Sequence, residues 1–437
     1  MTHDYAEALA EFSALTDDRT GIIGRVDLIK LSESDPVAYV AHAAPCDTTP
    51  LVGLPASNLG AAASASAERA VLRACGESVE RYCSAFFDIG SLLEASDAEL
   101  EASGRMYIPT ERLYPFAAWQ YEQPGFPFQS TAGRTVRWIE GTSAISGEQA
   151  LIPASCVYVP YLFDHTVEPF THMPISTGLA AGRDVDMCIA KGMLEILERD
   201  ALMIVWHCEL EMPRLDPESC LGRSPLIDDL LAAGLQGSAG WFLNVLTLDV
   251  DVTIISAALI DPGSPPLTSF GISADPDPDR ALLLALEEAI LTRILVNRME
   301  EAREERECDP ATVQTLHDHL VAHATSSRLR ERLGFLTGAP EISFGELLAR
   351  AEAGGARSME ERVAAAGLDA FWVDVTTEDV AEFGFHVIRT VMPGLQALDN
   401  DHRYPYVGGS RRVTVPRALG LGTPTEATVN PDPHPFP

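Results

Sequence analysis

Two glutamates and an arginine lie in MLEILERDA, residues 193–201, among flanking residues that are mostly apolar. Residues three and four apart share one face of a helix, so Glu195 and Glu198 would point the same way with Arg199 beside them. A buried carboxylate is costly unless it is paired or bound to a cation, so these side chains need a partner. The same ExxER spacing recurs upstream in CGESVERYC, which contains Glu77, Glu80 and Arg81.

Two interpretations of the ExxER segments are open. In one, each is a solvent-facing helix whose Glu and Arg pairs contribute about 0.3 kcal/mol. In the other, carboxylates from different helices converge on hydrated Mg²⁺ shared with substrate phosphates, and the arginines bind phosphate oxygens. Small-residue stretches precede both copies, NLGAAASAS (58–66) and ISTGLAAG (175–182), and would allow close approach of a ligand. They favour the second interpretation.

The chain is strongly acidic, with 31 Lys and Arg against 64 Asp and Glu among 437 residues and a formal net charge of -33. This balance argues against nucleic-acid binding, which relies on basic side chains. Lysine occurs only at Lys30 and Lys191, and neither lies in a GxxxxGK[ST] loop. A Walker-type phosphate site is therefore excluded.

The eight cysteines form no CxxC pair, and no secretory signal precedes them. This pattern is typical of a reduced, cytoplasmic protein. No apolar run approaches the roughly 20 residues of a membrane span, so we expect no membrane insertion.

Short β-branched and aromatic runs alternate with three helical segments, which predicts an α+β fold. The helices are expected at about 66–87, 184–207 and 277–306. The strands are expected at 21–29, 38–44, 155–163, 241–250, 252–260, 370–376 and 385–393.

Two further segments differ in composition. Residues 299–367 are polar and helical, and we interpret them as a peripheral helical insertion. Within them, His317, His319 and His323 could in principle bind a metal, but a solvated helix face is the favoured interpretation because no HExxH motif accompanies them. Residues 416–437 form a proline-rich tail ending in NPDPHPFP, for which polyproline II is the natural conformation.

The run STGLAAGRDVDMCIAKGMLEILERDALMIVW resembles the most recognisable segment of the YcaO superfamily, and CGESVERYCSAFF resembles its upstream counterpart. RTGIIGRV (19–26), ALLLALEEAILTRI (281–294), VIRTVMPGLQAL (387–398) and the terminal PHPFP match in type and order. The resemblance covers nearly the whole chain and implies a single YcaO domain over residues 1–437, with mixed and antiparallel sheets.

The resemblance implies a non-Walker site for ATP and Mg²⁺. By matching position, the metal would be held by Glu77, Glu80, Glu195, Glu198 and Glu288. ATP would contact Arg81, Ser176, Arg199, Arg293 and Ser64.

YcaO proteins activate backbone amides by phosphorylating the amide oxygen. Most let a Cys, Ser or Thr side chain close an azoline ring, and a minority make thioamides or amidines. The terminal PxPxP is associated with azoline formation, which gives Pro433, Pro435 and the Pro437 carboxylate an expected catalytic role.

The sequence also departs from the family pattern. Ala62, Ala63 and Ser64 replace a GKG, Arg73 replaces a serine, Met187 a glutamate and Leu291 a glutamine. A degenerate scaffold subunit of a modification complex is therefore an alternative.

The resemblance further implies partners: a precursor peptide, a ThiF-like leader-binding protein and, as an optional addition, a flavin-dependent azoline dehydrogenase. A separate leader-binding protein is expected because the first YcaO element already occurs at Arg19. A homodimer or a hetero-oligomer would follow.

Overall fold

The computed structural model describes residue 10 and residues 12–30, 39–56, 60–64, 66–234 and 238–436. Its strands are β1 (Ile23–Lys30), β2 (Tyr39–Pro45), β3 (Gly60–Ser64), β4 (Leu93–Ser96), β5 (Thr135–Ser143), β6 (Gln149–Pro153), β7 (Leu179–Gly182), β8 (Arg214–Leu215), β9 (Gly240–Val245), β10 (Thr253–Ile260), β11 (Thr268–Asp275), β12 (Glu341–Ile342), β13 (Phe371–Asp374) and β14 (His386–Val391). Its α-helices are α1 (Thr49–Val52), α2 (Ala67–Cys83), α3 (Asp97–Ser103), α4 (Ala118–Tyr121), α5 (Val185–Cys208), α6 (Pro225–Gly234), α7 (Pro278–Val296), α8 (Leu316–Thr325), α9 (Ser327–Arg332), α10 (Gly334–Thr337), α11 (Phe344–Gly354), α12 (Met359–Ala365), α13 (Glu378–Ala381) and α14 (Arg411–Ala418).

The described strands form three sheets. The first has the order β1-β2-β3 and is antiparallel. The second has the order β11-β10-β9-β8-β12, in which only the short β8–β12 pair is parallel. The third has the order β4-β5-β13-β14-β7, with β6 paired to β5. Helices combined with mixed and antiparallel sheets confirm the predicted α+β class.

The second sheet lies between two hydrophobic cores. Every residue of β10 and β11 is buried. Side chains alternate across a strand, and in β10 they separate cleanly: Ile254 and Ala258 pack in the core that contains α5, whereas Ile255 and Leu259 pack in the core that contains α7. The sheet therefore holds α5 and α7 on opposite faces.

Three long helices begin at side-chain caps. The N–H groups of Arg69, Met187 and Asp279 donate to the side chains of Ser66, Asp184 and Asp277, respectively. Such caps satisfy backbone donors that a helix start leaves unpaired. Among the helices that the structure describes, none combines the length and apolar character that crossing a bilayer requires.

The 299–367 segment is mainly helical, and one side of it packs into the interior of the protein. It supplies β12 to the second sheet, and His319 and His323 of α8 are almost completely buried. The expectation of a solvated histidine face is therefore wrong for these two residues, because α8 packs against the C-terminal tail. His317 is half-exposed and contacts Glu301.

The strand expected at 155–163 is absent from the structure in that range. The segment instead begins with a 3-10 turn at Ala154–Cys156. Its aromatic side chains bury themselves without strand pairing: Tyr158 and Tyr161 stack on Phe87, with ring centroids 4.6 and 5.3 Å apart. Aromatic content alone thus does not distinguish a strand from a buried irregular segment.

Candidate functional site

Three strand–helix units carry the site residues at equivalent positions, counted from the first residue of each helix. In each unit the helix begins three residues after the strand ends: β3 leads to α2, β7 to α5 and β11 to α7. Ten residues after the first helical residue, each unit has a glutamate: Glu77, Glu195 and Glu288. Three residues later come Glu80, Glu198 and Leu291. The first two units are recognisable in the sequence as copies of ExxER. The third is not, because Leu291 occupies the position of the second glutamate.

The first glutamate of each unit is held by a backbone N–H at the strand of its own unit. The N–H groups of Ala61, Gly178 and Ile272 donate to Glu77, Glu195 and Glu288 at 2.9, 2.8 and 2.7 Å. In all three cases the acceptor is Oε2. One oxygen of each carboxylate is thereby fixed, and the other is left for a cation or a basic side chain.

The second glutamate reaches the strand of the next unit. Ala181 N–H donates to Glu80 at 2.8 Å, and Ala274 N–H donates to Glu198 at 2.7 Å. These contacts join units that lie about a hundred residues apart in the sequence. In the third unit Leu291 has no oxygen to accept such a bond. The contact that joins the third unit to the first, which we call the third joint, must therefore differ.

That third joint is an ion cluster around Glu287. Its Oε1 accepts from the Ser64 hydroxyl at 2.7 Å, and its Oε2 lies 2.9 Å from Arg73 and 3.2 Å from Arg69. Ser64 is fully buried and its hydroxyl is occupied by Glu287. Ser64 does not itself line the cleft, and its predicted contact with ATP stays a prediction.

Glycine allows the strands to approach the helices closely. A Cβ on Gly60 would lie 2.1 Å from the carbonyl oxygen of Ala74 in α2, and one on Gly271 would lie 2.4 Å from that of Ala285 in α7. Both glycines precede their helix start by seven residues, so the register of the units extends into the strands. This spacing is a signal that sequence reasoning missed.

A cleft of about 730 Å³ lies where the three units meet. Each helix contributes the same four positions of one face. From α2, α5 and α7 in turn these are Arg73, Gly76, Glu77 and Glu80; Lys191, Leu194, Glu195 and Glu198; and Leu284, Glu287, Glu288 and Leu291. The predicted residues Arg81, Ser176 and Arg199 also line the cleft. All five predicted metal-binding glutamates are thus brought together.

Burial favours the neutral form of two carboxylates of the cleft. Burial and the neighbouring Glu77 raise the pKa of Glu80 to about 8. Burial raises the pKa of Glu198 to about 8 as well, with Glu288 adding to the shift. No group of three His, Cys, Asp or Glu among the described residues is close enough to hold a metal by itself. This donor set fits Mg²⁺, which keeps water ligands and shares phosphate oxygens.

Arg199 is the best-placed basic group for an anion. Its Nη2 and Nη1 lie 3.4 Å from Glu195 and Glu198, and its Nε and Nη1 have no hydrogen-bond acceptor among the described residues. Arg81 pairs with Glu77 at 3.0 Å. These donors fit the phosphate oxygens of a nucleotide.

Arg293 does not reach the cleft. It pairs with Asp261 at 3.2 Å and donates to the carbonyl of Pro266. Five residues separate it from Glu288, which rotates it by about 140° around the helix at 3.6 residues per turn. Arg293 therefore lies away from the residues that line the cleft, and its predicted contact with ATP stays a prediction.

The tail packs beside the same arginine. Phe436 is buried, and its ring centroid lies 3.9 Å from the Arg199 guanidinium carbon. Pro433 and Pro435 are buried in the segment that leads to it. Pro437, whose carboxylate is predicted to be catalytic, lies outside the described residues.

Comparisons with known structures agree with this architecture. A heterocyclase in complex with substrate and cofactor is 20% identical, with a TM-score of 0.78 over 99% of this chain, and the chain spans 57% of its length. YcaO from Methanopyrus kandleri bound with AMPPCP and Mg²⁺ is 20% identical, with a TM-score of 0.60 over 90% of this chain and 91% of the other. The Escherichia coli microcin synthetase McbBCD complex contains a chain that is 12% identical, with a TM-score of 0.58 over 94% of this chain and 96% of the other.

Sequence comparison reaches the same family. An uncharacterised protein of Methanothermobacter thermautotrophicus is 26% identical over 286 residues, which are 61% of this chain and 67% of that protein. The family model described as YcaO cyclodehydratase, ATP- and Mg²⁺-binding, matches residues 61–396. ATP and Mg²⁺ are the cofactors of this family, which confirms the predicted pair, and the chain belongs to the YcaO family.

Proposed function

We propose that the protein catalyses ATP-dependent cyclodehydration of Cys, Ser or Thr residues in a ribosomally made precursor peptide, in the cytoplasm. The side-chain sulfur or oxygen attacks the preceding carbonyl carbon, the amide oxygen takes the γ-phosphoryl group of ATP, and that oxygen leaves as phosphate. ADP, phosphate and a thiazoline or oxazoline are the products. Each ring therefore removes one water from the peptide.

The observation that carries this proposal is the position of Arg199. It lies between Glu195 and Glu198 on the nucleotide side and against Phe436 of the PxPxP tail. Activation of an amide by ATP requires the phosphate donor and the reacting peptide to meet at one place. Arg199 supplies such a place.

Glutamates from the three units would hold Mg²⁺. Glu77, Glu195 and Glu288 are the strongest candidates, since their Oε2 atoms are fixed by backbone N–H groups. Burial, together with Glu77 and Glu288 respectively, raises the pKa of Glu80 and Glu198, and a bound cation would favour their ionised forms. Arg81 and Arg199 would bind phosphate oxygens, with Ser176 at the rim of the same cleft.

The peptide would enter from a second, mainly apolar cavity. Arg199 lines this cavity too, together with residues that include Ile196, Arg389 and Met392. Arg389 is buried and donates to the carbonyl of Ile175 at 2.9 Å. A cavity that shares Arg199 with the nucleotide cleft suits the amide that is to be activated.

The tail would supply a base. A polyproline segment loses little entropy on docking, so Pro433 and Pro435 can hold the Pro437 carboxylate in a fixed position. We propose that this carboxylate takes the proton that the attacking side chain or the amide nitrogen releases.

Partner proteins are part of the proposal. A ThiF-like leader-binding protein would present the precursor, and a flavin-dependent dehydrogenase would oxidise azolines where present, in a homodimer or hetero-oligomer. The microcin synthetase neighbour is a complex of several proteins, which supports partner proteins in general. We expect weak modification by the chain alone and a strong gain when the leader-binding protein is added.

One alternative has structural support. Leu291 replaces a hydrogen-bonding side chain at the third joint, as in a subunit whose ATP site has degenerated into a scaffold. A thioamide- or amidine-forming enzyme would use the same cleft.

Mass spectrometry separates these functions. A precursor peptide rich in Cys, Ser and Thr would be incubated with this protein, the leader-binding protein, ATP and Mg²⁺. Loss of one water for each phosphate released would support cyclodehydration. Phosphate release with sulfur incorporation would indicate a thioamide, and an unmodified peptide without ATP turnover would indicate a scaffold. Glu195→Gln should abolish the reaction, whereas Glu68→Gln, in the first turn of α2 and outside the cleft, should not.

A further inference from the structure

Four successive backbone carbonyls of the tail accept hydrogen bonds from ring N–H groups. The acceptors are Pro431, Asp432, Pro433 and His434. The donors, in the same order, are His402 Nε2, Trp206 Nε1, His323 Nε2 and His319 Nδ1, at 3.0, 2.9, 2.7 and 3.0 Å. These donors come from α5, from α8 and from the loop after β14.

The regularity follows from the chemistry of the tail. Proline has no N–H, so a segment with proline at alternate positions cannot pair with a strand in a regular ladder. Its carbonyls nevertheless need donors when they are buried. Neutral histidine and tryptophan supply one N–H each from a ring that also fills space between prolines.

The tail side chains add further contacts. Asp432 binds Arg328 and Arg332 of α9 at 2.5 and 2.8 Å. The His434 ring stacks on His319 at 3.8 Å and lies 2.7 Å from the Asp399 carbonyl. The segment from 431 to 436 is thus held along its length.

Two contacts between the tail and α5 define the direction in which the tail runs. Trp206 and Arg199 lie seven residues apart on α5, a separation of about 10 Å along a helix. Asp432 and Phe436 lie four residues apart, about 12 Å in polyproline II. The tail therefore runs beside α5 towards its N-terminus, with Asp432 at Trp206 and Phe436 at Arg199.

We propose that the ring N–H donors are positioning residues that place Phe436 against Arg199. His323 and His319 of α8 supply two of the four donors, which gives the 299–367 segment a function in the reaction. The inference rests on the proposed function only for its kinetic consequence. The placement of the tail itself does not depend on it.

The test compares two substitutions at one position. His323→Phe keeps a ring of similar size and removes the N–H donor, whereas His323→Gln keeps a donor. Amide exchange of residues 430–436, followed by mass spectrometry in the full-length protein, reports tail docking without any substrate. We expect exchange about tenfold faster in His323→Phe and close to wild type in His323→Gln.

Kinetics then test the positioning role. In His323→Phe, we expect kcat for azoline formation to fall about tenfold while the Kd of AMPPCP with Mg²⁺ changes less than about twofold. The Phe436→Ala variant should show the same split, and adding His323→Phe to it should have little further effect. Additive losses in the double variant would overturn the role.

The remaining outcomes are also decisive. Unchanged exchange in His323→Phe would overturn the placement, and faster exchange with unchanged kcat would overturn the positioning role. If wild-type protein forms no azoline, the proposed function fails, while the exchange data still decide whether these rings hold the tail.

Discussion

Arg73 Nη1 lies 2.9 Å from Glu287 Oε2 and thereby links α2 to α7 at the corner of the cleft where Leu291 occupies the position equivalent to Glu80 and Glu198. The Glu287 side chain is fully buried, and Arg69 and Ser64 satisfy its remaining lone pairs. At the other two corners a helix glutamate binds the backbone of the next strand. An ion cluster thus replaces a backbone contact in closing the site.

Glu287 should therefore be important for stability. Glu287→Gln leaves two arginines facing a neutral group, and we expect a loss of about 3 kcal/mol in the free energy of unfolding. Arg73→Ala should cost about 1 kcal/mol or less, because Arg73 is partly exposed and Arg69 still pairs with Glu287. Urea denaturation measures both, with Glu140→Gln in the exposed Arg105 pair as control. Equal losses in the Glu287 and Glu140 variants would contradict the cluster's importance.

The carboxylates of the cleft should be essential for ATP turnover. Glu198→Gln keeps an oxygen that can accept from Ala274 N–H but removes the charge that a cation needs. We expect phosphate release to fall by about 100-fold with little change in Tm. Glu77→Gln and Glu195→Gln should behave alike. Normal turnover in all three variants would refute the metal site.

Removing the end of the tail should affect ring formation more than nucleotide binding. Deletion of residues 433–437 removes Phe436 from Arg199 and leaves the glutamates in place. We expect azoline formation to fall about 100-fold or more, and the Kd of AMPPCP with Mg²⁺ to change only a few-fold. Extending the chain with a C-terminal tag should act in the same direction. Ring formation at the wild-type rate in either protein would rule out a catalytic tail.

Acid should weaken the contact between α8 and the tail. Burial lowers the pKa of His323 from 6.5 to about 4, with Arg328 adding to the shift and Asp432 opposing it. The unfolded chain therefore takes up the proton first, so the stabilisation is complete above about pH 6.5 and is lost as the pH falls towards 4.

A pH comparison isolates this effect. Between about pH 7.5 and pH 5, wild-type protein should lose about 2 kcal/mol more stability than His323→Gln, measured by urea denaturation. Glu80 and Glu198 titrate in the opposite sense, because burial raises their pKa values to about 8, but both proteins retain them. Parallel pH profiles would contradict the buried neutral state of His323.

Local spacing made much of the site predictable. Helical periodicity places Glu77 and Glu80, and likewise Glu195 and Glu198, on one face, whatever the rest of the chain does. The apolar neighbours of the second pair showed that this face would be buried. The three helices accordingly occur at Ala67–Cys83, Val185–Cys208 and Pro278–Val296, within a few residues of expectation except at the far end of the third.

Amino-acid composition predicted local structure less well in segments whose side chains can be buried in more than one way. The aromatic segment 155–163 contains no strand, because its tyrosines stack on Phe87 instead of pairing in a sheet. The histidines of α8 lie in a polar segment without an HExxH motif, which predicts a solvated helix face. The partners of His319 and His323 are instead tail carbonyls more than a hundred residues away.

The sequence by itself determined which residues share a helix face, because 3.6 residues per turn is a local property of the backbone. Only the tertiary structure decided which faces meet. Hydrogen bonds join Glu80 to Ala181, Glu198 to Ala274 and Arg73 to Glu287, across sequence separations of 76 to 214 residues. Such contacts depend on the packing of whole units around a shared cleft, and that packing brought Phe436 to Arg199. The position of Arg293 away from the cleft, in contrast, follows from helix periodicity relative to Glu288.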